Sequence, residues 1–379
     1  MQTRSVAQPG SAPALGAGGR VFESLRSDHS FFPLMETLPE LITDEAQLDS
    51  VLTKPSAALR NFILQVKSPL VILGAGGKMG PTLAVMAKHA ADLAGHALEV
   101  IAVSRYSNDA TRQWLENNGV QTLTADLLKN SAWGELPDSE NVIYLVGHKF
   151  GTEDNPGLTW AMNTLVPAAA SGRYSQARIV ALSTGCVYPM VPTGSGGATE
   201  STPPEAIGEY ASACLARERL FEFHAAQNGT AMALIRRNYA IDLRYGVLHD
   251  IAQKIWNREP INLAMGHFNC IWQGDANERI LRSLGLCTNP PNVLNLTSPE
   301  TLAVREVAQQ LGKLMDREAQ FSGTEAETAW LSNPTQAAET LGAPEISLDT
   351  MLRWTAHWTL NEGRSLGKPT HFEVRDGKY

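Results

Sequence analysis

Residues 70–81 read Leu70-Val71-Ile72-Leu73-Gly74-Ala75-Gly76-Gly77-Lys78-Met79-Gly80-Pro81. A short apolar run enters a glycine-rich turn. After Gly80 the apolar positions change period: Leu83, Met86, Ala87 and Ala90 share one helical face. The spacing predicts a buried strand, a tight turn and a helix N-terminus. In such a turn Gly74 permits the sharp bend, Gly77 lets a pyrophosphate approach the backbone, and Gly80 lets helix pack on strand. Gly76 adds the second common glycine spacing, and Lys78 and Met79 lie between the glycines at the phosphate-facing helix end. Pro81 suits the first helical turn, where its missing N–H is not needed. Taken alone, the turn also fits a plain structural loop, so the downstream units decide.

Those units alternate strand and helix patterns. Strands are expected at 100–103, 120–124, 142–146, 179–183 and 232–235, with helical patterns between most of them. This predicts an α/β fold, a Rossmann-type doubly wound parallel sheet, followed by a smaller, less regular C-terminal α/β part, which the family resemblance given below makes a substrate lobe. The second strand ends at Ser104-Arg105, where a carboxylate would bind the ribose of NAD. A guanidinium there favours NADP over NAD, because it pairs with a 2′-phosphate, although a surface arginine reads the same way. Asp126-Leu127 follows the third strand, where an aspartate can accept from the adenine amino group. The fourth strand ends Val146-Gly147-His148-Lys149 at the ligand-binding edge of such a sheet.

The chain divides into a Gly/Ala/Ser/Pro-rich leader expected to be disordered (1–30), an N-terminal helical extension (31–68), an NAD(P)-binding domain (69–240) and mainly the substrate lobe (241–379), with strands able to return to the main sheet. The extension either packs beside the first strand or forms an oligomer contact, as in a homodimer. A helix is expected near 249–256, a strand at 293–297 and a helix at 302–314. The 43% hydrophobic content over 379 residues supports a large core. A net charge of -8 without long basic runs argues against nucleic acid as a partner. No apolar stretch reaches the roughly 18 residues of a membrane span. The N-terminus lacks an apolar secretory core, so a cytoplasmic protein is expected. The four cysteines, Cys186, Cys214, Cys270 and Cys287, show no metal-ligand spacing, so no metal is expected.

Two further stretches complete the pattern. Ser183-Thr184-Gly185-Cys186-Val187-Tyr188 closes the fifth strand, and Glu209-Tyr210-Ala211-Ser212-Ala213-Cys214 begins a helix. With the glycine turn, Asp126-Leu127, Val146-Gly147, Asn163-Thr164 and Asp275, these resemble the extended short-chain dehydrogenase/reductase family, the NAD-dependent sugar epimerases and dehydratases, over residues 69–360. The resemblance implies NAD(P) as cofactor, with Asn163 among the residues around it, and a small carbohydrate-like alcohol or ketone as substrate. It also implies Tyr210 as general acid/base and Thr184 as its hydroxyl partner. A phenol's pKa must fall by roughly three to act as a base near neutrality. The family lowers it with a lysine four residues after the tyrosine; here that residue is Cys214.

Three readings stay open. Another cation replaces the lysine: Lys149, His148 or Arg217, with Lys149 favoured for its place at a strand end. Alternatively, the protein is a non-catalytic NAD(P)-binding sensor or scaffold of the same fold. In the third, Cys214 itself acts. Substrate choice also departs from the family. The arginine that clamps a diphosphate is Phe268 here, and the acidic pair after the threonine is Gly185-Cys186. Asn238, Arg244, Trp272 and Gln273, with Tyr245 and His249, are candidates for a polar sugar or sugar-acid pocket; each also suits ordinary surface or packing.

Overall fold

The computed structural model describes residues 38–149 and 151–378; the leader assigned to 1–30 lies outside the described residues. Seven strands form the central sheet: β1 (Leu70–Leu73), β2 (Val100–Ser104), β3 (Gln121–Thr124), β4 (Asn141–Tyr144), β5 (Arg178–Thr184), β6 (Met232–Arg237) and β7 (Asn292–Leu296). Every pairing is parallel, in the order β3-β2-β1-β4-β5-β6-β7. The chain changes direction across the sheet between β1 and β4, and ligands bind such sheets at that point, beyond the carboxyl ends of the strands. All of β1 and β4 is buried, as expected for strands covered on both faces.

The helices are α1 (Glu45–Leu52), α2 (Ala57–Ile63), α3 (Gly80–Leu93), α4 (Asp109–Asn117), α5 (Pro156–Arg173) and α6 (Gly208–Asn228), then α7 (Val247–Asn257), α8 (Gln273–Arg282), α9 (Val304–Met315), α10 (Thr335–Leu341) and α11 (Leu348–Leu360). Three of the differences from the expected bounds bear on the site. The fourth strand stops at Tyr144, freeing Leu145 and Val146 to turn along the ligand edge. The expected 302–314 helix begins at Val304, because Leu302–Ala303 pair as a short strand with His267–Phe268. The boundary at 240 is also not clean. β7 returns to the main sheet beside β6, and α8 packs on α3, where Gln273 and Asn277 both donate to the Thr82 hydroxyl (3.1 and 2.9 Å). Among the described residues, no helix is long and apolar enough to cross a membrane.

The N-terminal extension packs onto the chain itself. A reciprocal cap starts α1: Asp44 accepts from the Gln47 N–H (2.8 Å), while the Gln47 side chain accepts from the Thr43 N–H (2.7 Å). Leu48, Val51 and Leu52 of α1 enter the lobe core with Ile251 and Trp272. Leu59 and Ile63 of α2 enter the sheet core with Leu70 and Leu83. The extension therefore joins both halves rather than only flanking the first strand. Arg244 pins it. Its guanidinium takes Asp242 through two nitrogens (3.1 and 3.0 Å) and Asp49 of α1 through a third (2.9 Å). Removing that charge leaves Asp242, which is buried, without its ion-pair partner. Arg244→Ala should lower stability by about 3 kcal/mol, read as a drop in the denaturant midpoint. An unchanged midpoint would show that α1 is held by apolar packing alone.

Candidate active site

Three glycines shape the first half of the site. Gly74 has φ +84°, and a Cβ there would lie 2.8 Å from the Val146 nitrogen, so only glycine lets the turn pass β4. A Cβ on Gly80 would strike the Ala75 backbone, which holds the start of α3 against the turn. A Cβ on Gly77 would meet only the Gly74 carbonyl oxygen, at 3.4 Å, and otherwise open space. Gly77 thus faces a cleft of about 220 Å³ lined by Gly74, Gly76, Ser104, Arg105, Asp126, Leu127, Val146 and Gly147, among others. Arg105 is exposed at its rim, and its charge reaches His148, whose pKa is lowered by burial and by that guanidinium. Met79 is buried beneath the turn, and Asn163 lies behind the cleft on α5. Lys78 leaves the cradle altogether. Its Nζ donates to the Ala240 carbonyl (2.8 Å) and stands 3.6 Å over the Tyr245 ring, at the lobe side of the sheet edge.

The second half sits at the carboxyl ends of β5 and β6. Thr184 ends β5, and its hydroxyl accepts from the Cys186 N–H (3.2 Å). Tyr210, in the first turn of α6, packs with Val187 and Tyr188 of the turn that follows Thr184. The Tyr210 hydroxyl hydrogen-bonds the Cys214 thiol, and Arg217 Nη2 lies 3.3 Å from that sulfur. Arg217 Nη1 donates in turn to the Val146 carbonyl (3.0 Å) and to Asn163 Oδ1 (3.2 Å). Burial pushes the Cys214 thiol up, so it stays neutral near neutrality. Burial, then Cys214, hold Tyr210 well above an ordinary phenol, while Arg217 and Arg237 pull it down. Lys149, the favoured replacement cation, instead lies over the face of the Tyr210 ring, 5.8 Å from its centroid, with Nζ directed to the Thr370 carbonyl (3.3 Å). Arg217, the third candidate cation, stands behind the Cys214 thiol, because i, i+3 positions meet on a helix.

The substrate candidates separate. Asn238 is at the edge: it bonds Asn269 (3.0 Å) and presses so close to Gly185 that a Cβ there would lie 2.6 Å from its oxygen. Arg244 is taken up by Asp242 and Asp49. Trp272 is buried against Trp354 (centroids 5.2 Å) and lines only a small cleft of about 60 Å³ with Val51, Ser56 and Asp275, while Gln273 is buried against Thr82; neither lines the glycine-turn cleft. Sequence reading missed a buried frame behind the site. Glu218 of α6 pairs with Arg236 of β6 (2.6 Å) and accepts from Ser183; Arg236 also donates to Tyr188 (2.8 Å). It also missed the C-terminal segment, where Thr370 donates to Asp250 through its N–H (2.7 Å) and hydroxyl (2.5 Å). Periodicity carries no signal for either.

Residues 70–239 match the model of the NAD dependent epimerase/dehydratase family. Over those residues the chain is similar to that family. NAD(P) is the family's cofactor, and the open face of Gly77 with the cleft beside it fits a dinucleotide. No curated protein matches the sequence. Among solved structures, the UDP-glucuronic acid 4-epimerase of Bacillus cereus in complex with NAD superposes with a TM-score of 0.66 at 16% identity, covering 79% of this chain and 99% of that one. An epimerase from Methanothermobacter thermautotrophicus gives 0.66 at 16% identity, covering 81% and 96%. The Thermus thermophilus UDP-glucose 4-epimerase complex with NAD gives 0.60 at 18% identity, covering 78% and 99%. At these identities the likeness is one of fold.

Two outcomes follow for residues 70–239. Gly77→Val should fold with an unchanged melting temperature yet lose NAD(P) binding by calorimetry, whereas Gly80→Val should unfold. Retained affinity in Gly77→Val would place the pyrophosphate elsewhere. Arg105→Ala should weaken NADP by roughly 10- to 100-fold and leave NAD nearly unchanged, the size of a charged hydrogen-bond pair. Equal losses for both cofactors would show that Arg105 does not reach a 2′-phosphate.

Proposed function

We propose that this protein is an NAD(P)-dependent enzyme of epimerase, dehydratase or reductase type. Its substrate is a sugar or sugar-like alcohol or ketone, converted by reversible hydride transfer. The observation that carries this reading is the line Tyr210–Cys214–Arg217 beside Thr184, next to the dinucleotide cleft. Bound NAD(P) supplies the hydride acceptor and donor. Thr184, whose oxygen already accepts from Cys186, has its own proton left to hold the substrate oxygen. Tyr210 takes the carbinol proton on oxidation and returns it on reduction. Cys214, pushed up by burial, is protonated near neutrality; its thiolate, formed only at higher pH, would oppose the phenolate. Arg217, fixed by Val146 and Asn163, supplies the positive charge from behind the thiol. The rival reading, a non-catalytic sensor, is favoured by the same burial that holds Tyr210 protonated.

The sign of the Tyr210 shift sets the pH profile. A phenol held above its ordinary value is protonated at neutrality, so reduction of a ketone should be level through neutral pH. Oxidation of the alcohol, which needs the phenolate, should keep rising as pH increases. Tyr210→Phe should cut turnover by about 100-fold or more while NAD(P) affinity is unchanged. The measurement is nicotinamide absorbance against a panel of sugars and sugar acids. Full turnover in Tyr210→Phe would end the acid/base assignment.

A further inference from the structure

Arg237 lies outside the line from Tyr210 to Arg217. It ends β6 directly opposite Thr184 of β5 in the parallel register. Partners in register on neighbouring strands are about 4.8 Å apart and point to the same face, so Arg237 flanks the hydroxyl that holds the reacting oxygen. Its Nη1 donates to the Asn238 carbonyl (3.0 Å), while its Nε is buried with no partner among the described residues. A buried guanidinium nitrogen without an acceptor is costly unless a ligand supplies one.

Two lysines stand near it. The field of Arg237 is felt at Lys78, Lys149, Tyr210 and Tyr245, which places both lysines around the same space. The acids facing that space are engaged: Asp242 by two nitrogens of Arg244, and Asp250 by the N–H and hydroxyl of Thr370. Burial and the Arg237 charge push both lysines down, Lys78 furthest, so at the sheet edge the guanidinium is the fixed charge and the two amines are donors beside it. The lobe position at which related nucleotide-sugar enzymes carry a diphosphate-binding arginine is Phe268, buried in the lobe core and edge-on to Tyr239 (6.3 Å).

We infer that the substrate is a sugar acid whose carboxylate lies close to the reacting carbinol, and that Arg237 opposite Thr184 binds that carboxylate, with Lys78 and Lys149 beside it. A planar guanidinium matches a carboxylate through two parallel hydrogen bonds, which fixes the orientation of the neighbouring carbon as well as its charge. The inference rests on the proposed redox site at Thr184 and Tyr210, but its binding arm is measured separately from turnover.

The experiment uses the NAD(P)-loaded full chain and a panel of five- and six-carbon aldonates and uronates, the matching neutral sugars and alditols, and the sugar phosphates. Binding is read by calorimetry and turnover by nicotinamide absorbance. At least one acid should bind and be turned over in preference to its neutral counterpart. Arg237→Gln should reduce the acid-to-neutral ratio of kcat/KM by roughly 10- to 100-fold, and Arg237→Lys should recover part of it. Thermal melts of both variants report folding, and the Lys variant carries the test should the Gln variant fail to fold. Acid binding that depends on Arg237, without turnover, would uphold the anion site and overturn the redox reading. Turnover of neutral sugars in preference to acids, lost in Tyr210→Phe, would uphold the redox reading and overturn the sugar-acid inference. Preference for sugar phosphates, or no binding by any acid while the dinucleotide binds, would also overturn it.

Discussion

The approach of Gly74 to Val146 governs the rest of the site. With no side chain at Gly74, the turn after β1 lies directly against the backbone leaving β4, since a Cβ would sit 2.8 Å from the Val146 nitrogen. The same Val146 residue accepts from Arg217 through its carbonyl, and Arg217 reaches the Cys214 sulfur. One steric condition thus aligns two things: the cleft wall on one side of Val146, and the cation behind Tyr210 on the other. A larger residue at position 74 would strain a left-handed backbone and push the turn off β4, displacing cradle and cation together.

Tyr210 also depends on how α6 is held. The helix is anchored two turns beyond the tyrosine by Glu218, buried against Arg236 and Ser183. A buried pair of this kind adds little net stability compared with apolar packing, but breaking it leaves an uncompensated charge. Its effect is positional: it ties α6 to β5 and β6 at the strands that carry Thr184 and Arg237. Tyr188, which bonds both Arg236 (2.8 Å) and Asn295 of β7 (2.9 Å), extends the tie to the edge strand. Tyr210, Thr184 and Arg237 are therefore set by one frame.

The extension and the C-terminal segment close the lobe side from opposite ends of the chain. α1 packs on the lobe core and is pinned by Arg244, whose neighbour Tyr245 lies under Lys78. Thr370 meets Asp250 and Lys149, and Gly377 packs so tightly on Ile207 and Gly208, at the start of the Tyr210 helix, that neither glycine has room for a side chain. Segments distant in sequence thus support the surroundings of the two lysines and the tyrosine.

What the sequence by itself determined is local and periodic. Strand-to-helix changes of period, the glycine spacing of the turn, and the order of Thr184 and Tyr210 are properties of neighbouring residues, so they were legible before any contact was known. Tertiary structure decided which long side chains serve the site. Lys78 sits among the glycines yet turns to Ala240; Arg244, Trp272 and Gln273 look like pocket residues yet satisfy an ion pair and two packing contacts. Arg217, ranked below Lys149 on strand position alone, is the one beside the thiol, and Arg237 meets Thr184 only through the pairing of β5 with β6. Side chains with several rotatable bonds go where burial and unpaired acceptors draw them, and the partners that decide it, such as Ala240 for Lys78, Asp49 for Arg244, Thr82 for Gln273 and Val146 for Arg217, lie tens to hundreds of residues away, beyond the reach of any sequence period.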